Sequence, residues 1–287
     1  MALCTISDIK SEPSYIDNGA TDDQLRSILG GLCEALEGLL NRNFPHVIES
    51  YAVDEASDTL TFVSPHHSLA IGDEVFMTAL GGPSPIEGLQ VVTSVSGFHS
   101  FSIAYAGTQA DLDAFPVYTM RKVRNDSIST YGHNSIFLDP RPVASILRVA
   151  VGNEVNEETV LADDEYMLAE NTSGVSETGE LYRIGKLWPK IQTRRHTILR
   201  RTGGPMPVRS MPAGARVKWV VGEAFPIPAL ANAMITLCIQ YPKANEIQGF
   251  ASVSYDYYSV SRISAGEIGQ IFVEAAHMLK QYRLPLI

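Results

Sequence analysis

Apolar positions follow two different periods along the chain, and the change of period marks its organisation. Thr21-Asp22-Asp23-Gln24 has the form of a capping box. After it Leu25, Ile28, Leu29, Leu32, Leu36, Leu39 and Leu40 recur at helical spacing. This predicts a helix over 22–43, closed by Pro45, with Gly30-Gly31 weakening its middle. From Val47 to Val123 the pattern changes to short β runs between turn residues. Thr59–Val63, Ile71–Met77, Leu89–Val95 and Phe98–Tyr105 read as strands or turn-to-strand segments, with Gly81–Pro85 a loop. Strands at such close spacing predict a small barrel or sandwich inserted over residues 47–123.

Beyond Ser135 the β runs are sparser. Ser145–Val149 reads as a strand. Glu165–Leu168 and Leu181–Ile184 read as two arms of a hairpin around the polar stretch Asn171–Gly179, and His196–Arg200 as a weaker strand. Ala215–Val221 alternates with period two, as a half-buried strand does. Pro228 suits a helix N1 position, and Leu230, Ala231, Met234, Leu237, Cys238 and Tyr241 then share a face, so a helix is expected over 228–241, ended by Pro242. Ser264-Ala265-Gly266-Glu267 caps a last helix over 264–282 with Ile268, Ile271, Phe272, Ala275, Leu279 and Tyr282 as its stripe. The expected fold class is α+β. A helical body over 1–46 and 124–287 (one N-terminal and two C-terminal helices) carries a small antiparallel sheet or hairpin and the inserted β-domain 47–123. The N-terminal stripe is expected to pack on the two C-terminal helices.

Composition narrows the function classes. The 287 residues are 45% hydrophobic and 19% charged, which fits a globular chain. No run of 18 apolar residues is present, so no membrane partner is expected, and the first ten residues lack the marks of a secretory leader. Cys4, Cys33 and Cys238 have neither metal spacing nor the even number of a disulfide framework, which suggests a reducing compartment. His66-His67 on a Pro-led turn reads as an exposed pair, Asp163-Asp164-Glu165 as a solvated acidic face, and Asp54 and Asp58 as turn residues. Phosphate-binding, nucleophile-elbow and zinc-protease motifs are absent from the sequence, so no cofactor, no metal and no enzymatic activity are expected.

Charge is segregated. Glu154 to Glu180 holds nine acids and no base, whereas Arg183 to Lys218 holds ten bases and no acid. The net charge of −10 argues against a chain that coats nucleic acid throughout, but leaves room for one basic surface. Two readings stay open. The arms neutralise one another across a hairpin or a subunit boundary, or the basic loop, through Arg194, Arg195, Arg200, Arg201 and Arg209, faces a polyanion such as DNA. Trp188 is the loop's one aromatic residue, which weighs against a stacking platform for single strands.

The order of several short motifs resembles a known family. The capped N-terminal helix is followed by Pro142-Val143-Ala144-Ser145-Ile146-Leu147-Arg148-Val149, then Asp164-Glu165-Tyr166-Met167-Leu168, then Gly179-Glu180-Leu181-Tyr182-Arg183-Ile184. Val217 to Phe225 closes the series before the Pro-led helix. This arrangement is similar to the head-tail connector (adaptor) proteins of tailed bacteriophages, with 47–123 as added length. The resemblance implies a virion protein assembled in the host bacterial cytoplasm. It would form a homo-oligomeric ring of about twelve subunits between the portal protein and a tail, stopper or terminator protein, with double-stranded DNA passing through the lumen. It also implies that the apolar end, Tyr282 with Leu284, Pro285, Leu286 and Ile287, docks on the portal. A stopper or tail terminator is the nearest alternative, and the expected helical C-terminal half favours the adaptor over those β-rich proteins. A DNA-binding protein using residues 183–218 and an enzyme with an unfamiliar site are the other readings.

Overall fold

The computed structural model describes residues 3–15, 20–65, 67–80, 83–115, 117–128, 130, 132–152, 159–169, 175–189, 214–248 and 282–284. They fall into two compact units, residues 1–123 with 221–287, and residues 124–220.

The first unit opens with α1 (Ile6–Ser11) and α2 (Asp22–Leu40). Both begin with a closed capping box. At α2 the Thr21 hydroxyl accepts the Gln24 N–H at 3.3 Å, and the Gln24 side chain accepts the Thr21 N–H at 2.9 Å. Asn41, at φ 51°, ends α2 in the left-handed conformation. Strands β1 (His46–Val47), β2 (Ser50–Asp54), β3 (Thr59–Val63), β4 (Glu74–Leu80), β5 (Gly88–Ser96) and β6 (Ser100–Ala104) follow. A short α3 (Gln109–Leu112) leads to the long β7 (Val117–Ile128), which runs through the division point. All these pairings are antiparallel. β1 and β4 both pair β7, and β4 continues through β5, β6 and β3 to β2.

Two cores result. Leu60, Phe62, Val75, Met77, Phe101, Ile103, Tyr118 and Met120 belong to one formed only by residues between Ile48 and Met120. Phe62 and Phe101 stack at 5.2 Å in its middle. The other joins Ile6 and Ile9 of α1, the stripe Leu25 to Leu40 of α2, and Leu230, Met234, Leu237 and Cys238.

The second unit contains β8 (Ser135–Phe137), β9 (Val143–Val151), β10 (Thr159–Val160), β11 (Tyr166–Leu168) and β12 (Glu180–Arg183). It also holds β13 (Ala215–Val221) up to Val220. β10, β9 and β13 are neighbours in one sheet, and β11, β12 and β8 form a separate three-stranded sheet. Trp219 of β13 is buried, and its indole N–H reaches the Pro140 carbonyl at 3.5 Å. α4 (Pro228–Gln248) returns the chain to the first unit.

The expected fold class is overturned. The described chain is mostly β, with thirteen strands against four α-helices, and it is not a helical connector body. Residues 124–220, expected to be part of that body, form a compact unit whose described regular elements are strands and one 3-10 turn, Asp163–Glu165. The physical cause lies in the signals. A stripe repeated over five turns is conspicuous, whereas the strands of residues 135–221 have two to nine residues each and carry a shorter periodic signal. α4 also continues through Pro242 to Gln248. A proline inside a helix removes one donor and crowds the carbonyl four residues back, and here the buried face from Leu230 to Ile239 fixes the helix ahead of it. The helix expected over 264–282 lies outside the described residues except for Tyr282.

Candidate functional site

The three-stranded sheet of the second unit has two unlike faces. Its register sets Leu168 opposite Leu181, and Leu181 opposite Ile136. Leu181 and Ile136 are buried, so this row faces inward. Met167, Tyr182 and Ser135 share the next row and Glu180 faces Phe137, so these point outward, since successive side chains alternate. On that outer face Met167 is 56% and Phe137 48% exposed. The Ile184 N–H donates to the Glu165 carbonyl at 2.9 Å and prolongs the pairing, which places Ile184, 50% exposed, two positions beyond Tyr182. Leu187, 61% exposed, follows. Contiguous exposed apolar side chains rimmed by polar ones mark interaction surfaces in water.

Acids dominate the rim. Asp163 and Asp164 are exposed in a tight turn just before β11. The Tyr166 hydroxyl donates to Asp163 at 2.8 Å, and burial together with that carboxylate pushes the phenol up to about 12. Glu165 pairs with Lys186 at 3.5 Å and is held below the ordinary carboxylate range, first by the Ala162 N–H and then by that lysine. Asp139, its side chain 80% exposed, stands just beyond β8.

The same unit fixes both ends of the basic segment. The Thr130 hydroxyl donates to the Pro189 carbonyl. Gly214 sits so close to the Thr130 side chain that a Cβ there would collide with it. Residue 189, where the described chain stops, and residue 214, where it resumes, therefore share one anchor. Trp188, expected as an aromatic in the basic loop, is buried and donates its backbone N–H to His133. Arg194, Arg195, Arg200, Arg201 and Arg209 lie outside the described residues.

At the chain's end, Tyr282 packs against the helical core and its carbonyl accepts Arg42 at 3.0 Å. Leu284 is buried, and its N–H donates to the Leu40 carbonyl at 2.9 Å, satisfying an orphan acceptor at the end of α2. The tail thus begins against its own chain. Pro285, Leu286 and Ile287 lie outside the described residues. Around this junction Arg42 is buried and meets Glu223 at 2.6 Å. Glu37 accepts the Phe44 N–H at 2.8 Å, and burial raises its carboxyl to about 7.

Family models, curated proteins and solved structures were all compared with the chain, and none matches it.

The remaining chemistry-bearing residues are structural where they are described. Cys4, Cys33 and Cys238 are buried in the helical core as free thiols, and burial drives all three upward, Cys33 to about 11. No group of three or more metal-binding side chains occurs among the described residues. His67 is not the exposed turn residue expected. It is buried because its loop folds onto the β5–β6 turn: its N–H donates to Phe98 at 3.2 Å and its ring meets Phe101 edge-on at 5.3 Å. Asp54 receives the Ala56 N–H and the Ser57 hydroxyl, as a turn carboxylate does.

Sequence reasoning missed the outer face of the small sheet. A signal was present: Tyr166-Met167-Leu168 and Leu181-Tyr182 are large and apolar on both alternating sets, where a one-sided sheet would place polar residues on one.

Proposed function

We propose that the chain is a structural assembly protein of the tailed-bacteriophage neck, acting as a connector ring under the portal. The observation that carries this reading is the exposed outer face of Phe137, Met167, Tyr182 and Ile184, a surface suited to a protein partner. The ordered motifs that resemble connectors support it as well, because they fall in chain order at regular elements: 142–149 at β9, 164–168 at the turn into β11, 179–184 at β12 and 217–225 at β13, ahead of α4. In a ring each copy meets two neighbours through unlike surfaces, and such heterologous contacts close when the rotation between copies permits.

A second reading has a specific observation behind it. Helical content was the feature that separated an adaptor from stoppers and tail terminators, and the described chain is mostly β. Another neck or tail-completion protein is therefore the runner-up. Imaging of the purified chain, alone and with portal, tests both. Rings that bind the portal support the connector; rings or tubes that bind only tail components support the runner-up. A chain that stays monomeric with either partner contradicts both readings.

A further inference from the structure

We propose that the outer face of β8, β12 and β11 receives the basic segment 190–213 of a second copy of this chain. The inference uses the assembly reading only in requiring more than one copy.

The face supplies the apolar half of the match. Phe137, Met167 and Ile184 are about half exposed, and no described side chain covers them. Charge supplies the rest. Asp163 and Asp164 stand exposed at one end of β11, and neither they nor Glu180, on the face itself, has a described cationic partner. Segment 190–213 is complementary in both respects. It carries Lys190, Arg194, Arg195, Arg200, Arg201 and Arg209 without an acid, interleaved with Ile191, Ile198, Leu199, Met206, Val208 and Met211. The aliphatic residues have no counterpart on a phosphate backbone, and they do have one on this face.

Reach is sufficient. Both ends of the segment are anchored at Thr130. Twenty-four residues doubled back from one point reach at most about 40 Å. A unit of this size has a radius of gyration of about 12–13 Å, so the segment is long enough to leave its own unit. One acidic apolar face and one basic apolar segment per chain make a head-to-tail pair, the arrangement that propagates around a ring.

The test cross-links two populations of the full chain. One, unlabelled, carries Met167→Cys; the other, nitrogen-15-labelled, carries Ile198→Cys. A short bismaleimide joins them, with the parent chain as control for its three buried cysteines. The expected product is a light–heavy pair, reduced about tenfold when Asp163→Lys, Asp164→Lys and Glu180→Lys are added to the Met167→Cys chain. A link that forms only within a single chain, in the double cysteine variant at high dilution, overturns the proposal. So does the absence of any link at millimolar concentration. Loss of DNA binding with unchanged mass in Arg194→Gln, Arg195→Gln, Arg200→Gln, Arg201→Gln would likewise overturn it and assign the segment to DNA. A light–heavy link in a chain that binds no portal leaves the proposal standing and removes the connector role.

Discussion

The β-core of the first unit and the small sheet of the second use the same residue types to opposite ends. In the core, Leu60 and Phe62 of β3 and Phe101 and Ile103 of β6 are wholly buried, while Thr61 and Ser102 across the same strands bond to each other at 2.9 Å on the other face. Across this strand pair the apolar side chains are buried and the polar pair lies on the other face, although β5 of the same unit leaves Leu89 42% and Val91 49% exposed. The small sheet buries Ile136 and Leu181 on one side and leaves Phe137 and Met167 in water on the other. A lone chain gains little from that arrangement, because side chains left about half exposed forgo roughly half of the about 1.5–3 kcal/mol that full burial gives. The contrast separates a strand pair closed on its own apolar residues from a face whose Phe137 and Met167 remain about half exposed.

Four sets of substitutions sharpen or break the contrast, taken from the largest expected effect. Phe62→Ala should cost about 3–5 kcal/mol, since it empties the middle of a closed core. Urea denaturation checks this, and a loss below 1 kcal/mol would show that the core repacks and is not closed. Arg42→Met should cost about 2–3 kcal/mol, less than a fully buried pair because Glu223 keeps some solvent contact. It removes both the Glu223 ion pair and the bond to the Tyr282 carbonyl, so unchanged melting would mean that the junction is not held from within.

Glu37→Gln tests the same unit through pH. Burial raises the Glu37 carboxyl from 4.5 to about 7, so between those values the folded chain keeps a proton that the unfolded chain has lost. Folding stability therefore declines as pH rises through this window. The glutamine variant still accepts the Phe44 N–H and should lack that decline, ending about 1–2 kcal/mol more stable than the parent above neutrality. Parallel pH-melting curves for the two proteins would contradict it. The smallest effect belongs to the small sheet: Phe137→Ala and Met167→Ala, each about half exposed, should change stability by no more than about 1 kcal/mol each. Losses comparable to that of Phe62→Ala would mean that these side chains are part of a core after all.

Legibility from sequence followed the range of the interactions. α2, β3, β5 and the β11–β12 pairing sit where capping boxes and alternation put them, because those signals are local. Tyr166 does oppose Arg183. α1 went unread although Thr5 and Asp8 form its capping box, because six residues carry too short a stripe. β8 went unread because its partner β12 is far along the chain; β9, β11, β12 and β13 were each read from local alternation, but the three expected helices outweighed them in the fold class. The exposed outer face of the small sheet left only a partial signal, apolar residues on both alternating sets, for a related reason. Alternation tells which residues share a face, but not whether that face is covered, and Met167 and Leu168 look alike until the register is known. The ends of the basic segment were likewise unreadable as neighbours, since only folding brings Pro189 and Gly214 to Thr130.

The central claim, that the outer face of the small sheet is an assembly surface, is tested most directly by mass in solution. Light scattering should find the parent chain well above its monomer mass of 31.3 kDa. The same measurement on Phe137→Asp with Met167→Asp should return that monomer mass at an unchanged melting temperature. Equal masses for the two proteins at every concentration would contradict the claim.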